Sequence, residues 1–368
     1  MSVYWNERVK NISPYVPGEQ PKDKKYIKLN TNENPYAASP EVNKAIQNAV
    51  DERLKLYPDP ACTELRGVIA AQFNLKTSQV FAGNGSDEIL AFAFAAFFEE
   101  GSNHDRFLLF PDITYTFYPV YAKLWNIPHK EISLGENFSV DINLYLDLID
   151  QDKASGIIFS NPNAPTGMAI SLKQLAKTAA ALEKNNHVLI IDEAYIAFAD
   201  GEGIGTAIPM INEFPNLLVI RTLSKEASLA GLRSGYALGS EELIEGLCRI
   251  KDCFNSYTMD RLALAGTAAA IKDAKYYKEI NSKVIATRNR VSKELRSMGF
   301  TVLPSQANFI FAAPPEGSKS GKEFFTALRE RGILVRHFNK PRIDNYLRIS
   351  IGTDEDMDTF LKTCKEIL

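Results

Sequence analysis

Cysteine is scarce in this chain of 368 residues: there are four, Cys62, Cys248, Cys253 and Cys364. Their spacing fits neither a disulfide framework nor a zinc site, so free thiols in a reducing compartment are expected. Histidine is as rare. His104, His129, His187 and His337 are scattered, and no metal site is drawn from them. An excess of one charge is missing too: 42 basic and 45 acidic residues are interspersed and leave a net charge of −3. Neither a nucleic-acid surface nor a membrane surface is indicated. Long apolar runs are absent. The longest, Ile89 to Phe98, falls far short of the roughly 20 residues a membrane span needs. The segment Met1 to Arg8 carries charge early and has no apolar secretory core, so a cytoplasmic location is expected. Internal repeats and low-complexity segments are also lacking.

What is present is an ordinary globular composition, 45% hydrophobic and 24% charged, long enough for two domains of about 150 residues each. Short β-like runs at Val80–Ala82, Phe107–Phe110, Gly156–Ser160, Val188–Ile191, Leu217–Arg221 and Tyr236–Leu238 alternate with helical stretches such as Leu172–Lys184. That pattern predicts an α/β domain with a mostly parallel sheet covered on both faces. Beyond about Tyr257 come long charged helices (Ala274–Ser297) and further β-like runs at Thr301–Leu303, Phe309–Ala312 and Tyr346–Ile351. The expected division is an arm and first helix over 1–56, a large domain over 57–257 and a smaller α+β domain over 258–368.

Three segments carry chemistry. The run Leu217-Leu218-Val219-Ile220 empties into Arg221-Thr222-Leu223-Ser224-Lys225, with Arg233 following. A lysine at a strand mouth becomes a nucleophile when its pKa is lowered, and imine chemistry with a carbonyl cofactor such as pyridoxal phosphate (PLP) is its typical use. Taken alone, Lys225 reads as one of many solvated surface charges. A second apolar run, Val188 to Ile191, ends in Asp192, with Tyr195 three residues on. A carboxylate there needs a partner. A protonated pyridine nitrogen would supply one, and the carboxylate would keep the ring an electron sink. In the third, Gly83-Asn84-Gly85-Ser86-Asp87 opens the apolar stretch from Ile89. It is either an anion cradle at a helix N-terminus or an ordinary turn in which Ser86 caps the helix.

In this order, the lysine, the Asp192/Tyr195 pair and the glycine turn resemble the fold-type I PLP-dependent aminotransferases, and among them the histidinol-phosphate aminotransferase branch. The likeness runs from Leu29-Asn30-Thr31-Asn32-Glu33-Asn34-Pro35 and Tyr57-Pro58-Asp59-Pro60 to Tyr346-Leu347-Arg348-Ile349-Ser350-Ile351-Gly352-Thr353. It implies that Lys225 anchors the cofactor and shuttles the proton, that Asp192 pairs with the pyridinium, that Tyr195 bonds the ring oxygen and that Tyr115 stacks on the ring. The phosphate falls to Gly85, Ser86, Asp87, Thr222, Ser224 and Arg233, with Tyr57 contributed by the partner subunit of a homodimer. Substrate recognition falls to Arg348 for a carboxylate, Arg336 for a distal phosphate, and Asn308 and Asn32 in the same pocket. The implied reaction exchanges an amino group between glutamate and an imidazole-bearing phosphate ester, with 2-oxoglutarate as co-substrate. Rivals on the same fold are a threonine-phosphate decarboxylase and an aromatic amino-acid aminotransferase; a non-catalytic PLP-binding protein is the rival from another class.

Three positions depart from the family pattern. Ala164 stands before Pro165-Thr166-Gly167 where members commonly carry Asn, so Asn163 takes that amide's place or Tyr195 acts alone. Glu226 follows the lysine; an acid facing the amine would raise its pKa, so Glu226 is expected to point out. Leu56 precedes Tyr57 where arginine is frequent, which removes an inter-subunit contact.

Overall fold

A computed structural model describes residues 3–13, 18–21, 23–101 and 105–368; His104 lies outside them. The strands in chain order are β1 (Ile27–Lys28), β2 (Val80–Gly83), β3 (Phe107–Pro111), β4 (His129–Ile132), β5 (Ala154–Ser160), β6 (Val188–Asp192), β7 (Leu217–Thr222), β8 (Gly235–Leu238), β9 (Thr301–Val302), β10 (Phe309–Ala313), β11 (Ile333–Leu334), β12 (Arg336–His337) and β13 (Leu347–Ser350).

Seven of them form one sheet in the order β2-β8-β7-β6-β5-β3-β4. All neighbours are parallel except β8, which runs antiparallel to both β2 and β7. Strands buried on two faces read as continuous apolar runs, because successive side chains point to opposite faces and helices cover both. The middle strands follow this rule: Ile157, Phe159, Leu189, Ile191, Leu217 and Val219 enter one core, while Ile158, Ile190, Leu218 and Ile220 enter the other. Register aligns Ser160 with Asp192 and Asp192 with Ile220. The carboxyl ends of β5, β6 and β7 therefore share one edge, where ligands bind in sheets of this kind.

A four-stranded antiparallel sheet, β12-β13-β10-β9, follows. Its core gathers Phe309, Ile310, Leu347 and Ile349 with residues of the helices Ala274–Ser297, Gly321–Glu330 and Asp354–Ile367. The six β-like runs expected for the first sheet are all strands. β4 was not anticipated, since its sequence His-Lys-Glu-Ile is mostly solvated, as suits a charged edge strand. The helix Arg261–Lys272 packs on Pro40–Ala49 and Thr63–Phe73, and its Ala263, Ala268 and Ala270 join the core of the large sheet.

Candidate active site

Lys225 sits on a single helical turn, Leu223–Glu226, that begins where β7 ends. Its Nζ donates to the Thr31 carbonyl at 3.0 Å. Burial first, and then the Arg348 guanidinium, bring its pKa down to about 8, although Glu33 and Asp87 pull the other way. Asp192 closes β6 and is 4% exposed. Its Oδ2 accepts from the Tyr118 hydroxyl at 2.9 Å and its Oδ1 from the Ala194 N–H at 3.2 Å. Both partners are neutral. Burial therefore pushes the carboxyl up to about 7 in spite of the Tyr118 bond.

Between these two groups lies a cleft of about 180 Å³, lined among others by Ser86, Tyr115, Tyr195, Thr222, Ser224 and Arg233. One end is built to take an anion. The helix Ser86–Phe97 starts there with Gly85 at its N-cap and no capping side chain, so the first N–H groups point at the cleft entrance with the positive end of the helix dipole. Gly85 has φ +83°, and a Cβ on it would stand 2.9 Å from Nη2 of Arg233. A Cβ on Gly235 would stand 2.8 Å from the Gly85 carbonyl carbon and the Ser86 nitrogen. The two glycines thus let Arg233 and β8 close on the helix start. Thr222 and Ser224, both buried, share a 2.9 Å hydroxyl bond beside them. Asp87 accepts from the Tyr115 hydroxyl at 2.8 Å and lies 3.4 Å from Arg233, which fixes Tyr115 over the cleft.

The opposite end is cationic. Arg336 and Arg348 both line it. Arg348 donates to the Asn30 carbonyl at 3.0 Å, and its guanidinium lies over Phe309 and Phe338 at 5.6 and 5.7 Å; Arg336 lies over Phe338 at 5.8 Å. Asn32, with φ +57°, donates to the Tyr195 hydroxyl at 3.0 Å and accepts from Ser350 at 3.0 Å. Asn308 donates to the Asn32 carbonyl at 2.9 Å. It supports Asn32 from behind, leaving a buried Oδ1 with no partner, and does not itself line the cleft.

Besides that of Asn308, expected in the pocket itself, three expectations change. Asn163 is buried away from the cleft: its amide accepts from Thr114 and donates to the Ile113 carbonyl and to Thr166. With its amide committed to the loop it cannot replace the missing contact, and Ala164 lines the cleft instead. Glu226 does point away from the Lys225 amine, but into the protein rather than into solvent. It faces Arg221 at 3.4 Å, and burial raises its pKa. Ser86 does not cap its helix, because Gly85 holds the N-cap position. Tyr57 is 80% exposed and stacked on Tyr257 at 4.6 Å, away from this chain's own cleft. A residue that the sequence reading missed at the site is Tyr118; its only signal is a place at the start of the helix Tyr118–Leu124, three residues beyond Tyr115.

The donor set fits pyridoxal phosphate. A buried carboxylate bonded only by neutral groups suits a protonated ring nitrogen, a lysine of lowered pKa suits an aldehyde, and a helix start with two hydroxyls and an arginine suits a phosphate.

Known proteins are similar to this chain over nearly its whole length. The profile of the family described as Aminotransferase class I and II matches residues 24–363. A histidinol-phosphate aminotransferase of Clostridium beijerinckii is 51% identical over 368 residues, covering 100% of this chain and 98% of the relative. Another protein of that name, from a Marinomonas species, is 50% identical and fully covered on both sides. Among solved structures, the histidinol-phosphate aminotransferase of Sinorhizobium meliloti in complex with pyridoxal-5'-phosphate superposes with a TM-score of 0.88 over 100% of this chain and 99% of that one, at 22% identity. At that identity it speaks for the fold.

Proposed function

The chain belongs to the class I and II aminotransferases, and from that premise we propose that it exchanges an amino group between histidinol phosphate and 2-oxoglutarate, giving imidazole acetol phosphate and glutamate. The observation that carries the substrate is the identity of about half, over the whole chain, to relatives of that name. Two arginines at one end of the cleft support it, since both substrates are anions.

The family is PLP-dependent. When bound, the cofactor supplies an electrophilic carbonyl and a ring that accepts electrons. Lys225 would hold it covalently. Its amine, with a pKa lowered to about 8, would move a proton at the substrate Cα near neutral pH. Asp192 would hold the proton on the ring nitrogen, with Tyr118 and the Ala194 N–H fixing its carboxylate. Tyr195, oriented by Asn32, would donate to the ring oxygen, and Tyr115 would cover the ring face. Ser86, Thr222, Ser224 and Arg233 would hold the phosphate, with the main-chain N–H groups of Gly85, Ser86 and Asp87. Arg336 would pair with the substrate's distal phosphate. Arg348 would pair with a glutamate carboxylate, and a planar guanidinium suits a planar anion.

The assembly we infer is a cytoplasmic homodimer in which Tyr57 of one subunit reaches the phosphate of the other. The large domain then takes in the helix Arg261–Lys272, on the packing described above, and the smaller one begins within Ala274–Ser297. The test of function is a substrate screen with purified protein loaded with cofactor. Histidinol phosphate with 2-oxoglutarate should yield glutamate faster than aromatic amino acids do. Carbon dioxide released from phosphothreonine would favour the decarboxylase, and no turnover with any amine would leave only a binding role.

A further inference from the structure

The helical turn that carries Lys225 is too short to hold itself. A turn of four residues, Leu223–Glu226, pays the nucleation cost without propagation. The N–H groups of Ala227 and Leu229 both return to the Leu223 carbonyl, which leaves the carbonyls of Lys225 and Glu226 without main-chain donors. Two asparagines from distant segments take them. Asn34 donates to the Lys225 carbonyl at 3.1 Å, and Asn281 to the Glu226 carbonyl at 3.1 Å. The two are joined: the same Asn34 amide donates to Asn281 Oδ1 at 3.0 Å, while its Oδ1 accepts from the Tyr36 N–H at 3.1 Å. Every bond uses an amide as donor to a carbonyl or as acceptor from an N–H, so the orientation of each side chain is fixed by its partners. Asn281 is 5% exposed.

We propose that Asn281, working through Asn34, is a positioning residue for Lys225: it clamps the main chain on the carboxyl side of the anchor lysine and so sets where the amine can reach. The inference rests on Lys225 being the anchor. Asn281 belongs to the 24-residue helix Ala274–Ser297. That helix gives Tyr277 and Ile280 to the core of the large sheet, and Val284, Val291 and Leu295 to the core of the smaller one. The clamp therefore ties the lysine to the element shared by both cores, and Asn34 ties it to the segment whose Thr31 carbonyl receives the amine. Neither asparagine touches the cleft.

The test compares Asn281→Ala, Asn281→Asp and Asn34→Ala with Ser292→Ala, a buried position on the same helix outside the clamp. Two readouts are taken: kcat and KM of the loaded enzyme, and the pH profile of Lys225 acylation in cofactor-free protein, followed by peptide mapping. The clamp variants should lose about tenfold in kcat, within the range expected when a reacting group is displaced by a fraction of an ångström, with KM for the amine little changed. Their acylation profile should move to higher pH as the lysine gains solvent. Asn281→Asp keeps the shape but presents an acceptor to the Glu226 carbonyl, so it should behave like the alanine variant, and the Asn34/Asn281 double variant should be no worse than either single one. A wild-type kcat and acylation profile in Asn281→Ala and Asn281→Asp, or an equal shift in Ser292→Ala, overturns the proposal. Borohydride fixation of the cofactor on a different lysine in the wild-type protein would instead overturn the anchor assignment itself.

Discussion

At the scale of single residues, the site holds two groups whose pKa values are pushed from their ordinary range in opposite directions by the same burial. Asp192 is raised to about 7, so the folded state binds its proton more tightly than the unfolded chain does. The sign follows: in cofactor-free protein this group favours folding at low pH, and that contribution is lost as pH rises from about 4 through 7. Asp192→Asn should therefore raise the melting temperature of cofactor-free protein at pH 8 and leave it nearly unchanged at pH 4, measured by thermal unfolding. The same substitution should lower turnover of the loaded enzyme by about two to three orders of magnitude, as removal of a key electrostatic partner commonly does. Near-normal turnover would make Asp192 structural. Lys225, lowered to about 8, should capture added pyridoxal phosphate about tenfold more slowly for each pH unit below 8, and reach a plateau above it. A solvated lysine would still be accelerating at pH 10. Borohydride should fix the cofactor on the Lys225 peptide, and Lys225→Ala should abolish transamination while phosphate-end binding persists.

At the scale of elements, the two arginines come from neighbouring antiparallel strands. Arg336 on β12 pairs directly with Arg348 on β13, so two like charges are held side by side and each leans on an aromatic ring for company. Like charges set opposite each other repel, so an anion beside them is favoured. Arg336→Ala should lower kcat/KM for histidinol phosphate by about 1.5–3 kcal/mol, roughly one to two powers of ten, the worth of a charge-assisted hydrogen bond. Its effect on an unphosphorylated aromatic amine should be much smaller. Equal losses would count against phosphate recognition and favour an aromatic aminotransferase. Arg348→Ala should be felt with glutamate, and in part with the phosphate ester too. The glycine cradle is a second element-scale device: Gly85→Ala places a methyl against Arg233 at positive φ, so both cofactor affinity and thermal stability should fall.

At the scale of the whole molecule, Leu54, Leu56, Tyr57, Phe254 and Tyr257 are large apolar side chains left exposed, with the Tyr57/Tyr257 stack among them. The homodimer proposed above would cover side chains of this kind. Mixing Lys225→Ala with Tyr57→Phe subunits should restore activity, because half of the sites in each heterodimer keep both residues intact. Sedimentation of a fully active monomer would end that reading.

The sequence alone determined six of the seven strands of the large sheet and the edge that carries the site, and it singled out Lys225, Asp192, Tyr195, Ser86 and Arg233, while Thr222 and Ser224 came with the family resemblance. The first five lie at or just past the ends of apolar runs or in a glycine turn, which strand period exposes; that they share one site is what the resemblance implied. Tertiary structure decided the rest. Tyr118 reaches Asp192 across 74 residues, Asn34 and Asn281 close on the lysine turn from 191 and 55 residues away, and Asn163 is drawn out of the cleft by Thr114 and Ile113. Whether Glu226 meets solvent or Arg221 was likewise settled by packing. A polar side chain's partners are set by which buried donors and acceptors remain open once the cores have closed, and no local pattern in the chain encodes that accounting.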